Sequence, residues 1–133
     1  MQNKELPRPT DAELEILTVL WSHGPSTVRN VHEIIARSRP AQYTTILKLL
    51  QIMDEKGLVR RDERQRAHIY TPAQPCEQTQ RQLAGDLLQR AFGGSARSLI
   101  LGALSARKTS RKELAELRQL LEDYESDQYG KSK

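Results

Sequence analysis

Between Gln42 and Gly57 the apolar positions recur at helical spacing. Wound as a helix, this stretch places Ile46, Leu49, Leu50 and Met53 on one side and Thr44, Thr45, Lys48 and Gln51 on the other. The second side carries hydroxyls, an amide and an ammonium, groups that can meet phosphates and base edges. Gly57 ends the helix, because glycine takes a left-handed C-terminal conformation without strain. Upstream, Leu14, Leu17 and Trp21, widened by Ile16 and Leu20, predict a helix. Thr10 and Glu13 open it as a capping box and Gly24-Pro25 closes it. Val28, Val31, Ile34 and Ile35 predict a second, shorter helix capped by Ser26 or Thr27, with Ser38-Arg39-Pro40 as the following turn.

After Gly57 the period changes. Leu58 and Val59 lead into Arg60 and Arg61; residues 62–66 are too polar for anything but a turn; Ala67 to Tyr70 returns as a strand and Pro72 closes it. The tip holds no glycine, so a hairpin looser than a two-residue turn is expected. Three helices and a basic hairpin make a winged helix-turn-helix, with residues 42–57 as reader and the hairpin as wing. In that frame Thr44, Thr45, Lys48 and Gln51 enter the major groove, and Gln42 and Tyr43 reach phosphate or sugar. Arg60, Arg61, Arg64 and Arg66 touch the flanking backbone. Asp62 and Glu63 interrupt these arginines, which leaves open a solvated, salt-bridged surface as the other reading.

From Ala73 onward Gln and Arg dominate one face. Leu83, Leu87, Leu88 and Phe92 form an apolar stripe on a helix starting near Pro75 or Cys76, and Gly93-Gly94 breaks it. Ala96, Leu99, Ile100, Ala103 and Leu104 predict a short apolar helix. Ser110 and Glu113 then open one with Leu114, Leu117, Leu121 and Tyr124 on one face. The expected organisation is a DNA-binding domain over residues 1–72, a helical dimerisation region over 73–125, and a disordered polar tail over 126–133. Three such helices are too few to enclose a core, so a second copy is expected to cover them. Leu83, Leu87, Leu99, Ile100, Leu104, Leu114, Leu117 and Leu121 are the expected dimerisation residues. Folding back on the winged domain in a monomer is the alternative. A two-fold dimer sets its reading helices on successive major grooves, about 10 base pairs apart or a multiple of that.

A length of 133 residues allows one domain, or a small one with an appendage, and the sparse aromatics favour a mainly α chain over a sandwich or barrel. The net charge of +4 permits a polyanionic partner without requiring one. A single cysteine, Cys76, excludes an intramolecular disulfide framework and a multi-cysteine metal site. With no apolar run of about 18 residues and no signal-peptide core, no direct membrane insertion and a cytoplasmic location are expected. His23, His32 and His68 lie far apart, without a His-Glu-x-x-His spacing, and no Gly-rich phosphate loop follows a strand. His32 is read as an idle histidine near an apolar stripe. Neither an enzyme, a cofactor nor a metal is expected. The rival function is a winged helix that binds protein, mildly supported by Asp54, Glu55, Asp62 and Glu63.

The order of pieces resembles the BlaI/MecI penicillinase repressors, winged-helix regulators that also include CopY-type repressors. The match is carried by Leu6 to Leu17, Leu20-Trp21, Thr27 to Glu33, Tyr43 to Leu47, Glu55 to Arg61, and His68 to Pro72. The C-terminal helices match in layout more than in sequence. The resemblance implies a dimeric repressor on a palindromic operator, acting by covering promoter DNA, often upstream of genes for β-lactam resistance or metal homeostasis. In members so regulated, a membrane-bound sensor-protease cuts the dimerisation region. Their scissile Asn-Phe falls at about Gly102 and Ala103 here. The cysteine-rich tail of copper-responsive members is missing. Many members carry Arg at the position of Ile52 and Gly near Gln65, which sets this chain's contacts and wing apart from theirs.

Overall fold

The computed structural model describes residues 7–130. Leu6, where the family-like stretch begins, and the last three residues of the expected tail lie outside them. The elements run α1 (Asp11–His23), α2 (Val28–Ala36), α3 (Tyr43–Lys56), β1 (Val59–Asp62), β2 (Ile69–Pro72), α4 (Cys76–Arg90), α5 (Ala96–Ala106) and α6 (Arg111–Tyr129). They fall into two units, the first ending at Asp86 and the second beginning at Leu87.

Local sequence explains the helix ends of the first unit. Thr10 and Glu13 form the expected capping box on α1, and Thr27, rather than Ser26, caps α2 with Asn30 as its reciprocal partner. Gly57 closes α3 at φ 85°, a left-handed conformation that a side chain would strain. Ile16, Leu17 and Leu20 of α1, Val31 and Ile35 of α2, and Ile46, Leu50 and Met53 of α3 then close a core against Leu58, Val59 and Tyr70. Trp21 packs against this core, as its spacing predicts, while its indole Nε1–H donates to the Gln74 carbonyl at 3.2 Å.

β1 and β2 pair antiparallel, with Val59 opposite Pro72 and Asp62 opposite Ile69. A third edge, which the pattern did not reveal, is a single bridge from Ser26 to Tyr70. Each amide donates to the other's carbonyl, at 3.1 and 2.8 Å. That bridge seats the hairpin against the loop between α1 and α2, giving the winged helix its fixed wing root. The tip turns without glycine because Asp62 Oδ1 accepts the Arg64 amide at 3.0 Å, a side-chain substitute for a backbone turn bond.

Two expectations about the boundaries change. The first unit extends past residue 72 into α4, because Thr79 is buried there and Asp86 pairs with Arg8 at 3.1 Å. Leu83, expected at the dimer contact, lines a shallow hollow with Leu14, Thr18, Trp21 and Cys76 inside this unit. At the other end α6 continues to Tyr129, so residues 126–129, expected to be tail, are helical.

Glu13 holds a charge inside this unit. It is 3 % exposed, and its carboxylate accepts from Lys56 Nζ at 2.7 Å and from the Thr10 amide at 3.0 Å, tying the start of α1 to the end of α3. Burial pushes its pKa up, but the bonds from Lys56 and Thr10 outweigh it and hold the carboxyl below its ordinary 4.5. The stabilisation is therefore complete above that value and is lost as pH falls through the lowered one. Thermal melts across the acid range are expected to show a shallower pH dependence for E13Q than for the wild type; parallel curves would remove this pair from the acid response.

Candidate nucleic-acid interface

The reading helix begins without a side-chain cap. Gln42 stands at the N-cap in an extended conformation (φ −95°, ψ 142°) and makes no side-chain cap bond, unlike Thr10 and Thr27. First-turn amides with no internal partner, at the positive end of the helix dipole, suit an anionic acceptor. Tyr43, 45 % exposed, sits beside them, and the His32 ring meets it edge-on, with centroids 5.9 Å apart and planes at 78°. His32 Nε2 lies 2.8 Å from the Ala41 carbonyl. A carbonyl can only accept, so this nitrogen carries the proton. His32 is therefore a clip on the α2–α3 turn, a role its sequence neighbourhood does not signal.

The exposed side of α3 divides in two. Tyr43, Leu47 and Gln51 line a groove of about 670 Å³, whose other walls are Thr27, Val28, Arg29 and Asn30 at the start of α2, and Arg61, Arg66, Ala67, His68 and Tyr70 of the wing. Thr44, Thr45 and Lys48 line the opposite flank, with Leu49 and Ile52. The single polar face expected from periodicity thus keeps its three-residue cluster, while Gln51 looks toward the wing. Arg29, Asn30 and His68 were not expected there. Packing of α2 against α3 brings in Arg29 and Asn30, and the folding of the wing brings in His68; the one sequence signal was the Thr27-Asn30 capping pair at the start of α2.

The wing arginines are not equivalent. Arg64 grips Asp62 with Nε at 3.0 and 3.2 Å and Nη2 at 2.7 Å. Those side-chain bonds, and the Arg64 amide, hold the Asp62 carboxyl down at about 2. Arg61 places Nη2 2.5 Å from Glu63 and Nε 4.0 Å from Asp54 on α3. A hydrogen bond to Tyr70 raises its pKa; desolvation opposes the rise, and Glu63 and Asp54 add to it. Among the described residues Lys48, Arg60 and Arg66 form no ion pair. The salt-bridged reading of the cluster therefore describes Arg61 and Arg64, and leaves the other three cations available to a polyanion.

The second unit presents a different surface. Neither α5 nor α6 buries a single residue, and Leu87, Ile100, Leu101, Leu120, Leu121 and Tyr124 are each about half exposed or more. Leu99, Leu104, Leu114 and Leu117 are half-buried between the helices. Gly102 and Ala103 both lie inside α5, and the Phe92 ring rests on Gly102, 3.4 Å from where a Cβ would stand. Among the described residues no group of three His, Cys, Asp or Glu side chains could hold a metal ion, and no helix is long and apolar enough to cross a membrane.

A family model described as penicillinase repressor matches residues 9–123. Over 123 residues the chain is 27 % identical to the penicillinase repressor of Bacillus licheniformis, covering 92 % of this chain and 96 % of that protein. It is 35 % identical over 98 residues to the transcriptional regulator BlaI of Mycobacterium tuberculosis strain H37Rv, covering 73 % of this chain and 71 % of that one. Among solved structures, the solution structure of the DNA-binding domain of the repressor BlaI is 27 % identical, with a TM-score of 0.49, over 56 % of this chain and 90 % of that one.

Proposed function

The chain belongs to the penicillinase repressor family, and on that footing we propose that it represses transcription as a homodimer on a palindromic operator. The observation that carries this reading is the exposed side of α3 set between the α2 N-terminus and an arginine-bearing wing. Thr44, Thr45 and Lys48 read base edges in the major groove, with Gln51 at the wing side of the same helix. Gln42 and Tyr43 meet the phosphate at the uncapped helix start, and Arg60 and Arg66 follow the flanking backbone. Arg64 joins them by exchanging Asp62 for phosphate. Of the four carboxylates that favoured a protein-binding winged helix, Asp54, Asp62 and Glu63 are engaged by Arg61 and Arg64, Glu55 being the exception, which supports the polyanion over the protein partner.

The dimer rests on the second unit. Ile100, Leu101, Leu120, Leu121 and Tyr124, each at least 45 % exposed on α5 and α6, helices that bury nothing of their own, are joined by Leu87 at the end of α4 and match a self-complementary partner better than water. Bound DNA then excludes polymerase sterically. Gly102-Ala103 stands where relatives cut by a sensor-protease carry Asn-Phe, a departure that argues against the same cut here, and any cut at that helical bond would need α5 to open locally.

Hydroxyl-radical footprinting of the DNA upstream of the gene tests the arrangement. Two protected half-sites about 10 base pairs apart, or a multiple of that, are expected; one isolated half-site, or no protection, would contradict it.

A further inference from the structure

Arg61 differs from the other wing cations in where its partners lie. Arg64 is held by Asp62, two residues away in its own turn. Arg61 instead meets carboxylates from two elements, Asp54 on α3 and Glu63 at the wing tip, together with the hydroxyl of Tyr70, which is itself buried on β2. Strand alternation explains the direction: Arg61 is exposed but falls on the same face of β1 as Val59 and stands opposite Tyr70 in the hairpin, while Arg60 alternates to the other face.

We propose that Arg61 is a positioning residue that tethers the wing to the reading helix, and not a contact to phosphate, because its guanidinium lies between Asp54 of α3, Glu63 and Tyr70. This rests on the DNA-binding reading above and deepens it. With the tether in place, the hairpin holds Arg60 and Arg66 at a fixed offset from Lys48, so one docking pose satisfies base and backbone contacts together. Arg61 carries its own counter-charges and releases no ion when DNA binds.

That difference is measurable, because a phosphate contact contributes about 0.9 to the slope of log affinity against log salt and a tether contributes nothing. Full-length wild type, R61M, R66M and D54N are titrated on a duplex from upstream of the gene and on a random-sequence duplex. R61M is expected to bind the upstream duplex about tenfold more weakly with the wild-type salt slope, whereas R66M flattens the slope by about one. D54N is expected to weaken binding as well, although removing a negative charge beside DNA would alone strengthen it. A slope flattened by about one in R61M, or tighter binding by D54N, would overturn the proposal. Hydrogen exchange in the free protein tests the tether without DNA. Faster exchange of the β1–β2 amides in R61M is expected, and unchanged exchange would overturn it. Wild-type binding with no salt dependence would sink the DNA reading, while the exchange result would still decide the tether.

Discussion

An L121D variant is expected to fold as the wild type does, to run as a monomer, and to lose roughly 10²- to 10⁴-fold in affinity for a two-half-site duplex. The first expectation follows because Leu121 is 59 % exposed in the single chain, so a carboxylate there keeps most of its surface in water and disturbs little internal packing. The second follows because an apolar interface between copies would have to desolvate that carboxylate, twice by symmetry. The third is the loss of avidity when two linked reading heads become separate. A thermal melt, sedimentation equilibrium and a titration on the two-half-site duplex test the three in turn. A variant that remains a dimer would move the interface off this face of α6, and one that unfolds would mean Leu121 supports the chain itself.

K48A is expected to cost about 1–3 kcal/mol on the upstream duplex and much less on a scrambled one. Lys48 stands exposed on the α3 flank beside Thr44 and Thr45, with no ion pair to break before it meets a base. Leu49 and Ile52 border the same flank, and their apolar surface keeps water from competing for the contact. The loss should concentrate at one base pair, so K48A is expected to discriminate less against substitutions at that position. Equal loss on both duplexes would instead make Lys48 a phosphate contact.

Much of the fold was legible because its signals are local. The α3 stripe of Ile46, Leu50 and Met53, the left-handed Gly57, the capping box at Thr10 and the cap at Ser26 or Thr27, which the structure settles as Thr27, each lie within a few residues of the feature they set. What escaped depends on partners distant in sequence. Ser26 meets Tyr70 through backbone atoms, which no side-chain pattern reports. Glu13 sits on a buried face because Lys56, 43 residues on, neutralises it. The reach of the first unit into α4 depends on Trp21 bonding Gln74 and on Arg8 pairing with Asp86.

The candidate site divides the same way. Periodicity grouped Thr44, Thr45 and Lys48 correctly, as neighbours on one helical flank. It could not tell that Gln51 turns toward the wing, since a helical wheel holds no second element. It could not rank the four wing arginines either. Their order depends on which carboxylate each one reaches, and for Arg61 that includes Asp54 on another element.

The most direct test is fluorescence anisotropy of the full-length protein on a duplex from upstream of its gene, beside a scrambled duplex of equal length, at several salt concentrations. Tight binding that favours the upstream sequence and weakens steeply with salt is the predicted result. Weak binding that ignores both sequence and salt would contradict a sequence-reading repressor and return the winged helix to a protein partner.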